Sequence, residues 1–539
     1  MSLNWLIEGA ASPGQWISNY VGGSFDICSP VAISLPTLPG LKVLSLEATP
    51  HKNYTFIPSP ELGGPQESIT NLNFCNVTIS YTHPGWDDTI VVTTYLPSED
   101  KWNGRLMANG GGGFVTGGAS IVQFTMIPGL LEGFVVTTTD GGHVSDLADA
   151  NPTSSSWALS SPGNVNWPLL INFASVALHD MSTISKAVTE AFYGKQAEYS
   201  YFYGGSTGGR QGHMLAQRYP KDFNGIIAVM PAINWTRFLW ANIWPSFLMD
   251  KLGIYPRPCE LNAMTNAAIA FCDPLDGVED GIISRPDLCN FDPHDIIGKE
   301  FDCNGVTSTF TSDAATIAKA TWDGPRSSTG EFQWHGFNFD ANISQIGIGS
   351  TVTKCDEDGA NCDAVPFTIS HVWAKYWLLK EPSFNMRKIS HEVWDTLIHT
   401  SVSQYSTVIG TDNPNLSGLH KAGNKLINWH GMADQAIPVN GSVDYYERVL
   451  AGDPNAQDYY RFFLAPGASH CVTCGLVPPT MKLMDIMVNW VEKGIAPDTL
   501  PVIGDNKYGA RLERNICMYP RVQHYIGGDV AKESSFTCV

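Results

Sequence analysis

The stretch YGGSTGGRQG, Tyr203–Gly212, sets one serine between two pairs of glycines. A glycine-rich turn of this kind either cradles a phosphate or holds up a nucleophile. The phosphate patterns are absent: no Gly-Lys-Ser/Thr ending follows, and the spacing G-x-G-x-x-G does not occur. Gly204-Gly205-Ser206-Thr207-Gly208 fits G-x-S-x-G instead, a strained turn that lifts a serine hydroxyl above a sheet. Such a serine needs a base to take its proton, and the base needs an acid to fix its tautomer. KLINWHGMADQAIP, residues 425–438, supplies Asp434, and YYRFFLAPGASH, residues 459–470, ends on His470, 36 residues after that acid. Ser206 therefore reads as nucleophile, His470 as general base and then acid, and Asp434 as the carboxylate that orients it. His430, in the same segment as Asp434, reads as a bystander. A tetrahedral oxyanion also needs two N–H donors. Thr207, directly after the serine, offers one. NGGGGF, Asn109–Phe114, offers the other through Gly112 or Gly113, although such a run is also the composition of a surface turn.

These residues need a scaffold that brings them to one edge. Residues 88–97, 104–109, 133–139, 199–204 and 225–232 are β-branched or apolar runs bounded by turn residues, which predicts strands. Phe173, Ala177, Met181, Ile184, Val188 and Phe192 recur at helical spacing and predict one helix, and a second begins inside STGGRQGHMLAQRYP. Alternating strands and helices specify an α/β fold built on a parallel sheet with helices on both faces. The serine then sits at the carboxyl end of a strand, where open α/β sheets place their sites. Two later strands end at the loops of Asp434 and His470, and a helix at 481–494, with Leu483, Met487 and Trp490 on one side, closes the fold. The order serine, acid, histidine is that of α/β-hydrolases.

Composition removes other classes. The 539 residues are 43% hydrophobic and 11% aromatic, ample for a large core. No linker or internal repeat is visible, so one domain with a large insertion is as economical as several. A formal charge of −20 opposes binding to nucleic acid or to anionic membranes, and no run of about 18 apolar residues exists to span a bilayer. A small-molecule partner is the simpler expectation. The opening MSLNWLIEGAASPGQW has neither the basic nor the apolar region of a signal peptide. Twelve cysteines and N-x-S/T sites at Asn53, Asn76, Asn234, Asn342, Asn415 and Asn440 point instead to an oxidising, glycosylating compartment, with a cytoplasmic home as the alternative.

Together the motifs GGGGF, GGSTGGRQG, CDPLDGVEDGIISRPDLCNFDP, WHGMADQAIP and APGASHC make the chain resemble the fungal tannase and feruloyl esterase family, over nearly its whole length from Cys28 to Cys538. The resemblance implies an α/β-hydrolase core in two parts, 1–234 and 416–539, with a lid domain inserted at 235–415. It implies a serine carboxylic ester hydrolase that acts on aromatic, phenolic-acid esters. An acyltransferase or depside-type hydrolase of secondary metabolism would use the same triad, and a catalytically silent aromatic-binding protein is the rival from another class. Trp373, Tyr376 and Trp377 offer rings for a phenolic substrate, although HVWAKYWLL at helical spacing equally fits a core. Asp273, Asp276 and Asp280 crowd one loop, which on residues alone fits a solvated acidic turn or a hard-cation site. The resemblance implies a structural calcium ion held by those aspartates and the carbonyls of Val278 and Ile282, with Cys272 and Cys289 pinning the loop. It also implies Cys28–Cys75 and Cys517–Cys538 pairs. In one respect the chain departs: relatives join a cysteine before the nucleophile to one after the histidine, but Gly205 fills the first position here. Cys471 is then either free or paired elsewhere, with Cys474 nearby.

Overall fold

Six parallel strands and three antiparallel ones make a single nine-stranded sheet. The computed structural model describes residues 27–58, 67–143, 157–356, 361–471 and 475–539; the N-terminal stretch read for a leader, and Cys474, lie outside them. In chain order the strands are β1 (Lys42–Phe56), β2 (Ile69–Thr82), β3 (Ile90–Pro97), β4 (Arg105–Asn109), β5 (Val135–Thr139), β6 (Tyr199–Gly205), β7 (Gly225–Val229), β8 (Lys425–Gly431) and β9 (Tyr460–Ala465). They lie in the order β1-β2-β3-β5-β4-β6-β7-β8-β9.

The parallel strands expected from the sequence are joined by an antiparallel flank: β1, β2 and β3 pair antiparallel with one another, and β3 with β5. The last eight residues of β2 alternate buried and half-buried positions, as a strand with one covered face must. From β5 onward the connections are helical crossovers and the strands are buried on both faces. Register shows how: Ile226 pairs with Phe202 and Leu426, and all three enter one core with Leu215 of the helix Thr207–Arg218. Their neighbours Tyr201, Ile227 and Ile427 point the other way, into a core with Met484 and Met487 of the helix Thr480–Lys493. Each face thus buries its own apolar set, worth about 25 cal/mol per Å² removed from water.

The single helix expected across 173–192 is two, α1 (Trp167–Ala174) and α2 (Val176–Tyr193), broken at Ser175, whose φ of −161° is extended rather than helical. Phe173 therefore belongs to α1, capped by the Asn166 side chain, while Ala177, Met181, Ile184 and Val188 line the buried face of α2. The strand expected at 225–232 ends at Val229.

Among the described residues between β7 and β8, no segment joins the large sheet. The helices α4 (Trp235–Leu252), α5 (Pro258–Cys272), α6 (Ser312–Asp323) and α7 (His391–Tyr405) of this insert bury Trp235, Trp240, Trp373, Trp377 and Trp394 in a core of their own, to which Phe114, Trp157 and Phe173 contribute from below. Disulfides Cys259–Cys303, Cys272–Cys289 and Cys355–Cys362 tie the insert, and Cys28–Cys75 and Cys517–Cys538 tie the flanking chain. Cys471 is disulfide-bonded, so of the two alternatives open for it the paired one holds. Asn234 is 1% exposed and hydrogen-bonds Gly441 and Arg448, so of the six glycosylation motifs this one has no access to a glycan.

Candidate active site

Ser206 sits between β6 and α3 (Thr207–Arg218) with φ of 59° and ψ of −120°, a conformation that costs a non-glycine residue on the order of 1–3 kcal/mol. The surroundings over-determine it. Its N–H donates to the Val229 carbonyl at 2.9 Å, and its carbonyl accepts from Ala232 and Arg210 at 3.0 Å each. The glycines permit the close approach: a Cβ on Gly204 would lie 2.6 Å from the carbonyl group of Gly208. The same packing lays the 110–113 loop over the elbow. Gly208 N–H donates to Gly111, Thr207 Oγ1 donates to the Gly113 carbonyl at 2.5 Å, and Gln211 accepts from Gly111 N–H. The N–H groups of Thr207 and Gly113 have no acceptor among the described residues, while Gly112 pairs with Val115 in an isolated antiparallel bridge.

Strands β8 and β9 deliver the other two groups. His470 Nε2 lies 3.0 Å from Ser206 Oγ, and His470 Nδ1 lies 2.8 Å from Asp434 Oδ2. Asp434 is 1% exposed, and its Oδ1 accepts the N–H groups of Ala436 and Ile437 at 2.8 Å each. Burial opposes its ionisation, but the His470 charge and the hydrogen bonds from His430 and His470 outweigh that, holding the carboxyl well below the usual range. The structure therefore brings Ser206, His470 and Asp434 into one hydrogen-bonded line, next to two N–H groups, of Thr207 and Gly113, that meet no acceptor among the described residues. Such a line can activate a hydroxyl and stabilise an oxyanion.

Two neighbours escaped the sequence reading. His430 is no bystander: its Nε2 lies 3.1 Å from the same Asp434 oxygen, and its Nδ1 meets Ser442 Oγ at 2.8 Å. Its spacing of four residues from the acid, across a strand end, was the available signal. Gln435 accepts the backbone N–H of His470 at 3.0 Å, and nothing local in the sequence reports that contact.

Beside the elbow lies an aromatic wall. Phe114, next to Gly113, stacks on Trp377 at 5.0 Å and meets Trp157, Phe173 and Trp235 within about 6 Å. Trp373 and Trp377 are fully buried in this wall, while Tyr376 is half-buried. Arg210, one turn after the serine, is buried against Phe173 and Trp235 and donates to the Phe173 and Ala174 carbonyls; burial lowers its guanidinium to about 9.

The acidic loop lies within the insert and meets the C-terminal chain at Asn506 and Arg514. Asp273 accepts from Asp280, Gly281 and Ile282 N–H groups, Asp276 accepts from Val278 and Ser284, and Asp280 pairs with Arg514 at 2.5 Å. With the carboxylates turned to these donors, no three of them converge in metal-ligand geometry among the described residues. The donor set itself is of the hard-cation kind: of the three carboxylates only Asp280 meets a cationic side chain, Arg514, and the Val278 and Ile282 carbonyls accept no hydrogen bond among the described residues.

Comparison with known proteins decides the family. The sequence model described as "Tannase and feruloyl esterase" matches residues 75–539. The chain belongs to the tannase and feruloyl esterase family. It is 39% identical over 515 residues to a probable feruloyl esterase of Arthroderma benhamiae, covering 94% of this chain and 93% of that one. It is 30% identical to a tannase of Aspergillus oryzae, covering 95% and 93%. Among solved structures, the tannin acyl hydrolase from Aspergillus niger superposes with a TM-score of 0.83 at 25% identity, covering 95% of both chains. Feruloyl esterase B from Aspergillus oryzae gives 0.75 at 25% identity, covering 94% and 98%. As a member of the tannase and feruloyl esterase family the protein is a carboxylic ester hydrolase with an α/β-hydrolase fold.

Proposed function

We propose that the protein hydrolyses esters of phenolic acids through an acyl-serine intermediate. The observation that carries the reading is the Ser206–His470–Asp434 line at the strained elbow, with its free N–H groups. Ser206 Oγ attacks the ester carbonyl carbon while its proton passes to His470 Nε2. The oxygen that becomes an anion is met by Thr207 N–H and by Gly112 or Gly113 N–H. When the C–O bond breaks, His470 returns that proton to the departing alcohol. Water then attacks the acyl carbon as His470 takes its proton, and His470 returns that proton to Ser206 Oγ as the acyl–oxygen bond breaks and the acid departs. Asp434 keeps the imidazole proton on Nδ1 and steadies the imidazolium. The names of the feruloyl esterase and tannase relatives point to phenolic-acid esters as the substrate class. The insert between β7 and β8 serves as the lid.

A panel of methyl and aryl esters of hydroxybenzoic and hydroxycinnamic acids tests the reading, with mass spectrometry to trap acylated Ser206. Turnover confined to aliphatic esters, or acylation elsewhere, overturns it. As a second element of the proposal, Asp273, Asp276, Asp280 and the Val278 and Ile282 carbonyls hold a structural calcium ion away from the chemistry. The disulfides favour an oxidising, secretory compartment.

A further inference from the structure

Gln435 is 2% exposed and joins two parts of the molecule that are far apart in sequence. Its Oε1 accepts the N–H of His470 at 3.0 Å, and its Nε2 lies 2.7 Å from Oε1 of Gln345, in the insert. Chemistry fixes these assignments. A backbone N–H donates only, so the carboxamide atom facing His470 must be oxygen; the amino group must then face Gln345, which must answer with its own oxygen. An unbroken line of hydrogen bonds therefore runs from the insert to the backbone of His470.

The far end of that line is anchored. Gln345 lies on the turn 338–351, which is closed on itself: its carbonyl accepts from Gly349 N–H at 2.7 Å, and the Ile343 carbonyl accepts both the N–H and the hydroxyl of Thr351 at 2.9 and 2.8 Å. Ser344 Oγ donates to Asn262 on α5 at 2.5 Å. The turn thus moves with the body of the insert. At the near end the histidine loop has no covalent tie to the elbow, because Gly205 has no side chain and Cys471 is engaged in another disulfide.

We infer that Gln435 is a positioning residue that couples the seating of the insert to the alignment of His470, with Gln345 as its anchor. The inference rests on His470 acting as the general base, as proposed above. When the insert is seated, the Gln345 carboxamide holds Gln435 in the one orientation that accepts from His470 N–H, and the imidazole is kept in line with Ser206. When it lifts, Gln435 loses the partner that fixes its orientation, and the imidazole of His470 is aligned by Asp434 without that second hold.

Steady-state kinetics on a bulky aromatic ester test this with three variants. Gln345→Met removes only the anchor. It is expected to lower kcat about fivefold, the effect of one neutral hydrogen bond, with KM within twofold and the melting temperature unchanged. Gln345→Glu keeps an acceptor towards Gln435 and restores at least half of kcat. Gln435→Met lowers kcat further, and adding Gln345→Met to it has no additional effect, because the two act as one unit. Wild-type kcat in Gln345→Met, a loss confined to KM, or additive losses in the double variant would each overturn the coupling. His470→Ala, measured alongside, separates the two readings: if it retains turnover, the base assignment fails, whereas a dead His470→Ala beside fully active glutamine variants refutes the coupling alone.

Discussion

Replacing Asp434 with asparagine changes one atom, and the surrounding donors dictate the result. The N–H groups of Ala436 and Ile437 both point at Oδ1 from 2.8 Å, so the new carboxamide must keep its oxygen there. Its amino group is then forced to the Oδ2 position, facing His470 Nδ1 and His430 Nε2. His430 adapts without penalty to its partner, because a proton moved to Nδ1 is accepted by the Ser442 hydroxyl, which turns. His470 adapts only by carrying its proton on Nε2, where it faces Ser206 Oγ and takes nothing from it. We expect kcat to fall about 10⁴-fold, as a wrong tautomer does in serine hydrolases of this type, which is about 5.4 kcal/mol at 1.36 kcal/mol per tenfold. The stability loss is smaller, about 1–3 kcal/mol for charge-assisted bonds made neutral. Release of nitrophenol from an aryl ester between pH 5 and 9, beside a thermal melt of the same sample, measures both. KM is unchanged, since Asp434 is buried behind the histidine. A folded Asp434→Asn variant within tenfold of wild-type kcat would refute the reasoning.

Ser206→Ala is expected to abolish turnover with a melting temperature near wild type, and a serine-directed phosphonate is expected to label Ser206 alone, read by peptide mass spectrometry. Chelation lowers the melting temperature, by roughly 2.7 kcal/mol of stability where calcium stood at a hundred times its Kd, and leaves the pH profile of kcat/KM in place; Asp276→Ala melts at the lower temperature and no longer responds to chelator. Asp340 in the insert has an Oδ2 without a partner among the described residues, and burial raises its carboxyl to about 7. Its folded pKa lies above its unfolded one, so its contribution to stability is fully present below about pH 4, falls as pH rises from there, and is gone above about 7; Asp340→Asn should therefore melt higher than wild type at pH 8, by less at pH 5, and not at pH 3.

What could be read in the sequence was local or periodic. The run Tyr199–Gly205 announced a strand, and the glycines after it announced an elbow, because both signals lie within ten residues. The break at Ser175 was hidden because Phe173 continues the apolar period of the next helix, so two short helices and one long one present the same pattern. Of the antiparallel strands, β3 was legible at 88–97, whereas β1 and β2 were not, β1 because it is mostly exposed and carries few apolar residues to alternate. At the site, Ser206, Asp434 and His470 stand out by type and order. Gln435 and His430 do not, because their roles are set by contacts at 3.0 and 3.1 Å to side chains and backbone that only the folded sheet brings near. The insert was least legible: its core is built of tryptophans from many separate segments, with no repeating period to betray them.

The strand order also governs how the protein comes into being. β7, apolar and buried along its whole length, waits for β8, which leaves the ribosome only after the entire insert has been made. During that interval the nascent chain offers an unpaired, hydrophobic sheet edge, the kind of surface on which chains aggregate. The same interval keeps it chemically inert, since Ser206 has been synthesised and the histidine that would activate it has not. Expression yield should therefore follow chaperone capacity and translation speed across residues 230–424 more closely than it follows the stability of the finished enzyme. Nascent chains stalled before Lys425 would be recovered bound to chaperones and without esterase activity.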